Sequence, residues 1–110
     1  MSARRFGSLM LSNNAQVLMT GAAGKDTTVN VVFCNQGTTT ARVSLAYVNG
    51  ASITPVPNDS WLCFSETISL NSRLEIKGIV VQSGTTLAAM VESNSQIVSA
   101  ITYGFEETTN

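Results

Sequence analysis

The sequence predicts an all-β fold, an antiparallel β-sandwich of the jelly-roll kind with about eight strands. Two observations predict it. Apolar residues alternate with polar ones, as Val29, Val31 and Phe33 do around Asn30, and no helical period persists. Turn-forming residues also interrupt the apolar runs at short intervals, which is typical of a sandwich. The 110 residues fit a single domain, with flexible ends expected at about 1–4 and 108–110.

The first half of the chain carries four predicted strands. In the fourth, Val43, Leu45 and Tyr47 alternate with Arg42 and Ser44, so one face is apolar and the other polar. Glycine- and asparagine-containing turns separate the strands. These four strands are placed at 6–11, 15–20, 28–35 and 40–48.

The second half carries four more. In the sixth strand, Leu74 and Ile76 point one way, and Glu75 and Lys77 point the other. Gly78 then interrupts the alternation, which indicates a β-bulge. These four strands are placed at 62–70, 74–82, 86–93 and 96–105.

The connection after the fourth strand begins with Asn49-Gly50, the strongest two-residue hairpin signal. This pair should turn the strand back on itself. The returning segment carries Pro55 and Pro57, and each proline lacks the N–H that a strand ladder needs. We therefore expect an edge strand or a loop there.

The composition argues against several classes of function. Charged residues make up only 12% of the chain, and the polar surface consists mostly of Ser, Thr, Asn and Gln. A net charge of −1 argues against nucleic-acid binding, which depends on many Lys and Arg contacts to phosphate. Histidine is absent, and with it the commonest general base and metal ligand. The sequence has no apolar run long enough to predict a membrane span or a signal peptide.

Individual motifs add no catalytic, cofactor or metal site to this prediction. Gly21 and Gly24 precede Lys25, but their spacing is wrong for a phosphate-binding loop, and a strand rather than a helix follows. The seven acidic residues form no recognisable hydrolytic pair or ligand spacing. Cys34 and Cys63 lie in apolar runs, so we expect two buried free thiols formed in a reducing cytoplasm, although a bridge between them remains open.

The seventh and eighth strands carry apolar residues on both faces. We expect Ile97, Ile101, Tyr103 and Phe105 to face the core. The opposite face of these two strands then predicts a contact with a second copy or a larger partner, through Ala88, Met90, Val98 and Ala100. The alternative is that these are scattered surface residues without a role.

Two further groups are candidates for contacts. Trp61 and Phe64 follow the proline segment, and we expect them in the core or at a subunit interface, with an aromatic platform for a sugar or partner as the alternative. Arg4 and Arg5 are either a disordered basic tip or a contact to a neighbouring subunit's acidic surface, for which Glu106-Glu107 is one candidate.

Three stretches resemble small β-sandwich structural proteins of tailed bacteriophages. They are VVFCNQG at 31–37, LEIKGIVVQSGTTL at 74–87 and ITYGFEE at 101–107. These phage proteins pair two strands around a Ser-Gly or Ala-Gly turn and end in a Tyr-Gly-containing strand followed by acidic residues. The likeness spans roughly residues 28–107, and the chain departs from the commonest form at 49–60, where the connection is short and carries prolines. The resemblance implies a virion component and supplies no catalytic residues.

We therefore expect a non-enzymatic virion protein, made in the host bacterial cytoplasm and without cofactor, metal or membrane. Capsid decoration, or cement, is the first expectation, because the chain is one compact domain without a fibre-like repeat. A tail, baseplate or fibre-anchoring subunit is the alternative, and a carbohydrate- or receptor-binding module using Trp61 is a third. The expected partners are further copies of the chain and the major capsid protein or tail and baseplate proteins.

Overall fold

The computed structural model describes residues 4–54, 56–57, 59–93 and 95–108. These residues form eight β-strands and no helix, so the described part of the chain contains no helix that could cross a membrane. The strands are β1 (Arg4–Met10), β2 (Gln16–Thr20), β3 (Lys25–Asn35), β4 (Ala41–Val48), β5 (Trp61–Ile68), β6 (Arg73–Val81), β7 (Thr86–Val91) and β8 (Val98–Thr108).

The predicted fold class is confirmed. Each predicted strand has a counterpart whose ends lie within three residues of the predicted ones. Arg4 and Thr108, predicted to lie in flexible ends, belong to strands β1 and β8, while residues 1–3 and 109–110 lie outside the described residues.

The strands form two four-stranded antiparallel sheets that pack face to face. Sheet A has the order β1-β8-β3-β6, and sheet B has the order β2-β7-β4-β5. Their inner faces meet in one apolar core, to which β3 contributes Val29, Val31 and Phe33, and β4 contributes Val43 and Leu45, all without exposed surface. Burial of each such side chain contributes roughly 1.5–3 kcal/mol to the folded state.

The predicted orientation of β8 is wrong. Val98 and Ala100 are fully buried in the core, whereas Ile97 before the strand and Ile101 and Phe105 within it are exposed. The small residues of β8 face inward because the strand lies at the centre of sheet A, directly opposite the large core residues of β3 and sheet B. The large residues are left on the outer face.

Gly104 of β8 shows how closely these strands approach. A Cβ atom at this position would lie 1.9 Å from the carbonyl oxygen of Thr28 and 2.8 Å from the Cα of Val29. Any side chain at this position would force β8 away from β3, which is the steric reason that a glycine follows Tyr103.

Irregular pairing is confined to the edges of both sheets. The pairings of β3 with β8 and of β4 with β7 run without a register shift, whereas each pairing that involves an edge strand contains at least one. The predicted bulge at Gly78 is confirmed: Gly78 has φ 74°, and its N–H donates to the Asn30 side chain at 3.0 Å. Bulges disturb the ladder that an edge presents to another chain.

One buried side chain joins the two sheets at the end of β3. Asn35 is 1% exposed, and its amide nitrogen donates to the carbonyl oxygens of Thr39 at 2.9 Å and Ile68 at 3.1 Å. Its amide oxygen accepts from the N–H of Gly37 at 3.0 Å. Because Ile68 belongs to sheet B and Asn35 to sheet A, this amide fixes the turn and one end of the sandwich together.

Candidate functional site

Among the described residues, no metal-binding arrangement is assembled. No group of three His, Cys, Asp or Glu side chains in this part of the chain comes close enough to hold a metal ion. The two cysteines are free and half-buried rather than fully buried: Cys34 lies on the outer face of sheet A, and Cys63 packs against the core. Burial raises the pKa of the Cys63 thiol, which keeps it in the protonated, less nucleophilic form.

The outer face of sheet A carries an exposed apolar strip, defined here as Val32, Val80, Ile101 and Phe105. Ile101 lies directly opposite Val32, and Phe105 and Val80 flank Thr28 on its two sides. Ile101 is 36% exposed, Phe105 37% and Val80 47%. Neighbouring apolar side chains on one sheet face are typical of a surface that contacts another molecule.

A polar group stands within this strip. The Tyr103 hydroxyl donates a hydrogen bond to the Glu75 carboxylate, and the Lys77 ammonium lies 3.7 Å from the same carboxylate. The hydrogen bond from Tyr103 lowers the pKa of Glu75, with Lys77 and Arg73 acting in the same direction. The carboxylate in turn raises the pKa of Tyr103, because ionisation would place a phenolate against it. At neutral pH this pair therefore consists of a phenol and a carboxylate.

The outer face of sheet B is covered by the chain itself. Ala46 and Ala88 lie opposite each other on β4 and β7, outside the core cluster, yet both are fully buried. The Thr86 hydroxyl donates to the Gly50 carbonyl at 2.7 Å, and Ile53, Thr54 and Val56 line a cleft together with Met90 of the same face. Asn49-Gly50 does not form a tight two-residue hairpin, since among the described residues the next strand begins only at Trp61.

The predicted interface of the last third needs correction accordingly. Ala88 is fully buried within the chain, and Val98 and Ala100 belong to the core, so these three side chains are not available to a partner. Met90 is half-buried and lines a cleft. The apolar face that was predicted to lie inside, with Ile101 and Phe105, is the exposed one.

The aromatic pair after segment 49–60 lies outside the core. Trp61 is half-buried and Phe64 is 64% exposed, and their rings meet edge to face with centroids 5.1 Å apart. Trp61 lines a cleft of about 360 Å³ together with Met90 and residues from two loops. Of the predicted positions, the core is wrong for both rings, and the subunit interface stays a prediction. The aromatic platform, which was the alternative, has a concave surface beside it.

The two arginines of the first strand lie beside β8. Arg4 stands opposite Gly104 and Arg5 opposite Tyr103, so the β1 backbone follows the end of the chain that carries Glu106-Glu107. Arg5 is exposed on the outer side of sheet A. Their predicted contact with a neighbouring subunit stays a prediction.

Comparison with known proteins adds no relative. No protein-family model matches the chain, and no curated protein matches it either.

Proposed function

We propose that the chain is a non-enzymatic bacteriophage virion protein, a capsid decoration subunit that stabilises the particle through repeated contacts. The observation that carries the proposal is the apolar strip on the outer face of sheet A, with Phe105 and Val80 exposed on either side of Thr28. The resemblance of 31–37, 74–87 and 101–107 to phage sandwich proteins supports the same role.

The size of this face favours many weak contacts over one strong one. The four strands of sheet A are 7 to 11 residues long, and at the usual spacing and rise they present on the order of 600 Å². A standard protein interface takes roughly 800 Å² from each partner, so a single contact through this face is weak. A symmetric shell multiplies such contacts and converts modest affinity into stable attachment.

The polar part of this face is not uniformly neutral. Only 12% of the residues of the chain are charged, but the Glu75 carboxylate and the Lys77 ammonium stand within the strip, and Arg5 is exposed on the same side of sheet A. Because salt screens charges and not apolar contacts, the part of the attachment that the strip supplies should depend little on ionic strength.

Substitutions on the strip test the attachment directly. The double variant V80S/F105S removes two apolar side chains that are 47% and 37% exposed, so it also loses some buried apolar contact, and its urea midpoint is measured beside that of the wild type. We expect it to fold and to lose binding to particles from which the wild-type protein has been removed. Leu62→Ser is the matched control, because Leu62 is 48% exposed but belongs to sheet B. Equal binding by wild type and V80S/F105S would refute the role of the strip.

The location in the particle tests the function itself. Decoration requires the protein to cover the shell in many copies, and gene deletion should leave capsids that fail on heating or at low salt. A few copies at the tail or baseplate would favour the alternative of a tail-associated subunit. Absence from purified particles would overturn both.

A further inference from the structure

A cleft of about 360 Å³ opens on the outer side of sheet B, away from the apolar strip. Met90 of β7 and Trp61 of β5 form two sides of it. Ile53 and Val56 of segment 49–60 contribute a third, and the connection between β1 and β2 closes the cleft with residues 13–15. This volume falls in the range of roughly 300–1,000 Å³ that small-molecule sites occupy.

The lining of the cleft is uncharged. It combines the Trp61 indole with the amides of Asn13 and Asn14 and the hydroxyl of Thr54, and its other residues are aliphatic or Met. Asn13 and Asn14 are exposed at the rim, so an occupant meets groups that both donate and accept hydrogen bonds. No side chain of the lining can neutralise an ionic ligand, and a wholly apolar ligand would not use the amides.

The Trp61 ring has an aromatic neighbour in its own strand. Phe64 meets it edge to face at an interplanar angle of 70°. Next to Phe64, Ser65 has φ 54°, and its N–H donates to the Ser44 hydroxyl at 2.9 Å across the bulge. Contact with Phe64 restricts the ring on one side, which lowers the conformational entropy lost when a ligand binds.

We propose that this cleft binds a neutral carbohydrate, with the apolar face of a sugar ring against the Trp61 indole and its hydroxyls hydrogen-bonded by Asn13 and Asn14. A sugar ring presents C–H groups on one face and hydroxyls around its edge, which matches an aromatic wall with amides at the rim. The inference does not depend on the proposed place in a virion, since the cleft and the apolar strip lie on opposite sheets.

The only tryptophan of the chain lies in the cleft, so its intrinsic fluorescence reports occupancy. The probes are neutral hexoses, N-acetylhexosamines and their disaccharides, titrated into the full chain. We expect at least one of them to produce a saturable change in Trp61 emission. N13A/N14A should weaken that binding by about fivefold or more, since the loss of one hydrogen bond costs roughly 1 kcal/mol.

Asn49→Ala is the matched control, because Asn49 is an exposed asparagine outside the cleft lining. It should bind the saccharide as the wild type does, and equal urea midpoints for the variants should show that their folds are intact. Trp61→Phe, followed by calorimetry, should weaken binding as well. The proposal is overturned if no neutral saccharide produces a saturable change or if N49A weakens binding as much as N13A/N14A. It is equally overturned if an apolar peptide or a sulfated saccharide binds and the neutral sugars do not.

Discussion

The Asn35 amide allows a sharp test of how the sandwich is held together. Asn35→Ala removes two donated bonds, to the carbonyls of Thr39 and Ile68, and one bond accepted from Gly37. Asn35→Asp keeps the shape and the bond from Gly37, but places an oxygen against both carbonyls. The two variants therefore separate the loss of the bonds from the introduction of a repulsive, charged group.

The expected magnitude follows from counting these bonds. Each of the three contributes roughly 0.5–1.5 kcal/mol net, so Asn35→Ala should cost about 3 kcal/mol. The total free energy of unfolding of such a domain is only ~5–15 kcal/mol. At about 4 °C or more per kcal/mol, the Tm should fall by more than ~10 °C. Asn35→Asp should cost at least as much at neutral pH and recover partly in acid, because a carboxylic acid regains one donor.

Urea unfolding, followed by far-ultraviolet circular dichroism, measures these differences. Gln36→Ala is the control from the same turn: Gln36 is exposed and its side chain makes only a 3.5 Å contact with Ser99, so the change should stay within ~0.5 kcal/mol. A loss of less than ~1 kcal/mol for Asn35→Ala would show that the amide is not the tie between the sheets.

Three further predictions concern single side chains. The Thr27 hydroxyl is buried without a hydrogen-bond partner, so Thr27→Val should raise the free energy of unfolding in urea titrations by ~1 kcal/mol. The control Thr86→Val breaks a hydrogen bond and should lower it by a similar amount, and a lower value for both variants would contradict this reasoning. Gly104→Ala should cost ~3 kcal/mol or more in thermal unfolding, since its Cβ would collide with backbone of β3, and a Tm near wild type would show that the strands can separate there. Tyr103→Phe should raise the pKa of Glu75 in a carbon-13 NMR titration. Because that pKa is lowered in the folded state, the stabilisation is present above the ordinary glutamate pKa and is lost as pH falls through the lowered pKa, so the stabilities of the two proteins should converge in acid. An unchanged pKa of Glu75 would rule the hydrogen bond out.

The strands were predictable because a half-buried sheet imposes a period of two on its sequence. β3 shows this best: its inward residues Val29, Val31 and Phe33 alternate with residues that are only partly exposed. β8 carries apolar residues on both faces, and periodicity alone does not say which face is buried. Ile101 and Phe105 were expected inside, but the space left by neighbouring side chains in the core favours Val98 and Ala100.

The cleft was much less predictable than the fold. Trp61 was recognisable as a candidate because it is the only tryptophan and follows a proline segment. Its partners Asn13 and Asn14 come from a distant turn, and Met90 comes from a strand face predicted to meet another subunit. Ile53, Thr54 and Val56 belong to a stretch without a periodic pattern, so the sequence did not indicate that they line the cleft.

The register shifts along all four border strands of the two sheets bear on what happens when many copies are crowded together. A regular border would let the backbone of one molecule continue the ladder of the next, and the molecules would fuse into fibrils. With irregular borders, neighbours meet through side chains instead. Copies of such a molecule can therefore be crowded together and separated again while each keeps its own backbone hydrogen bonds.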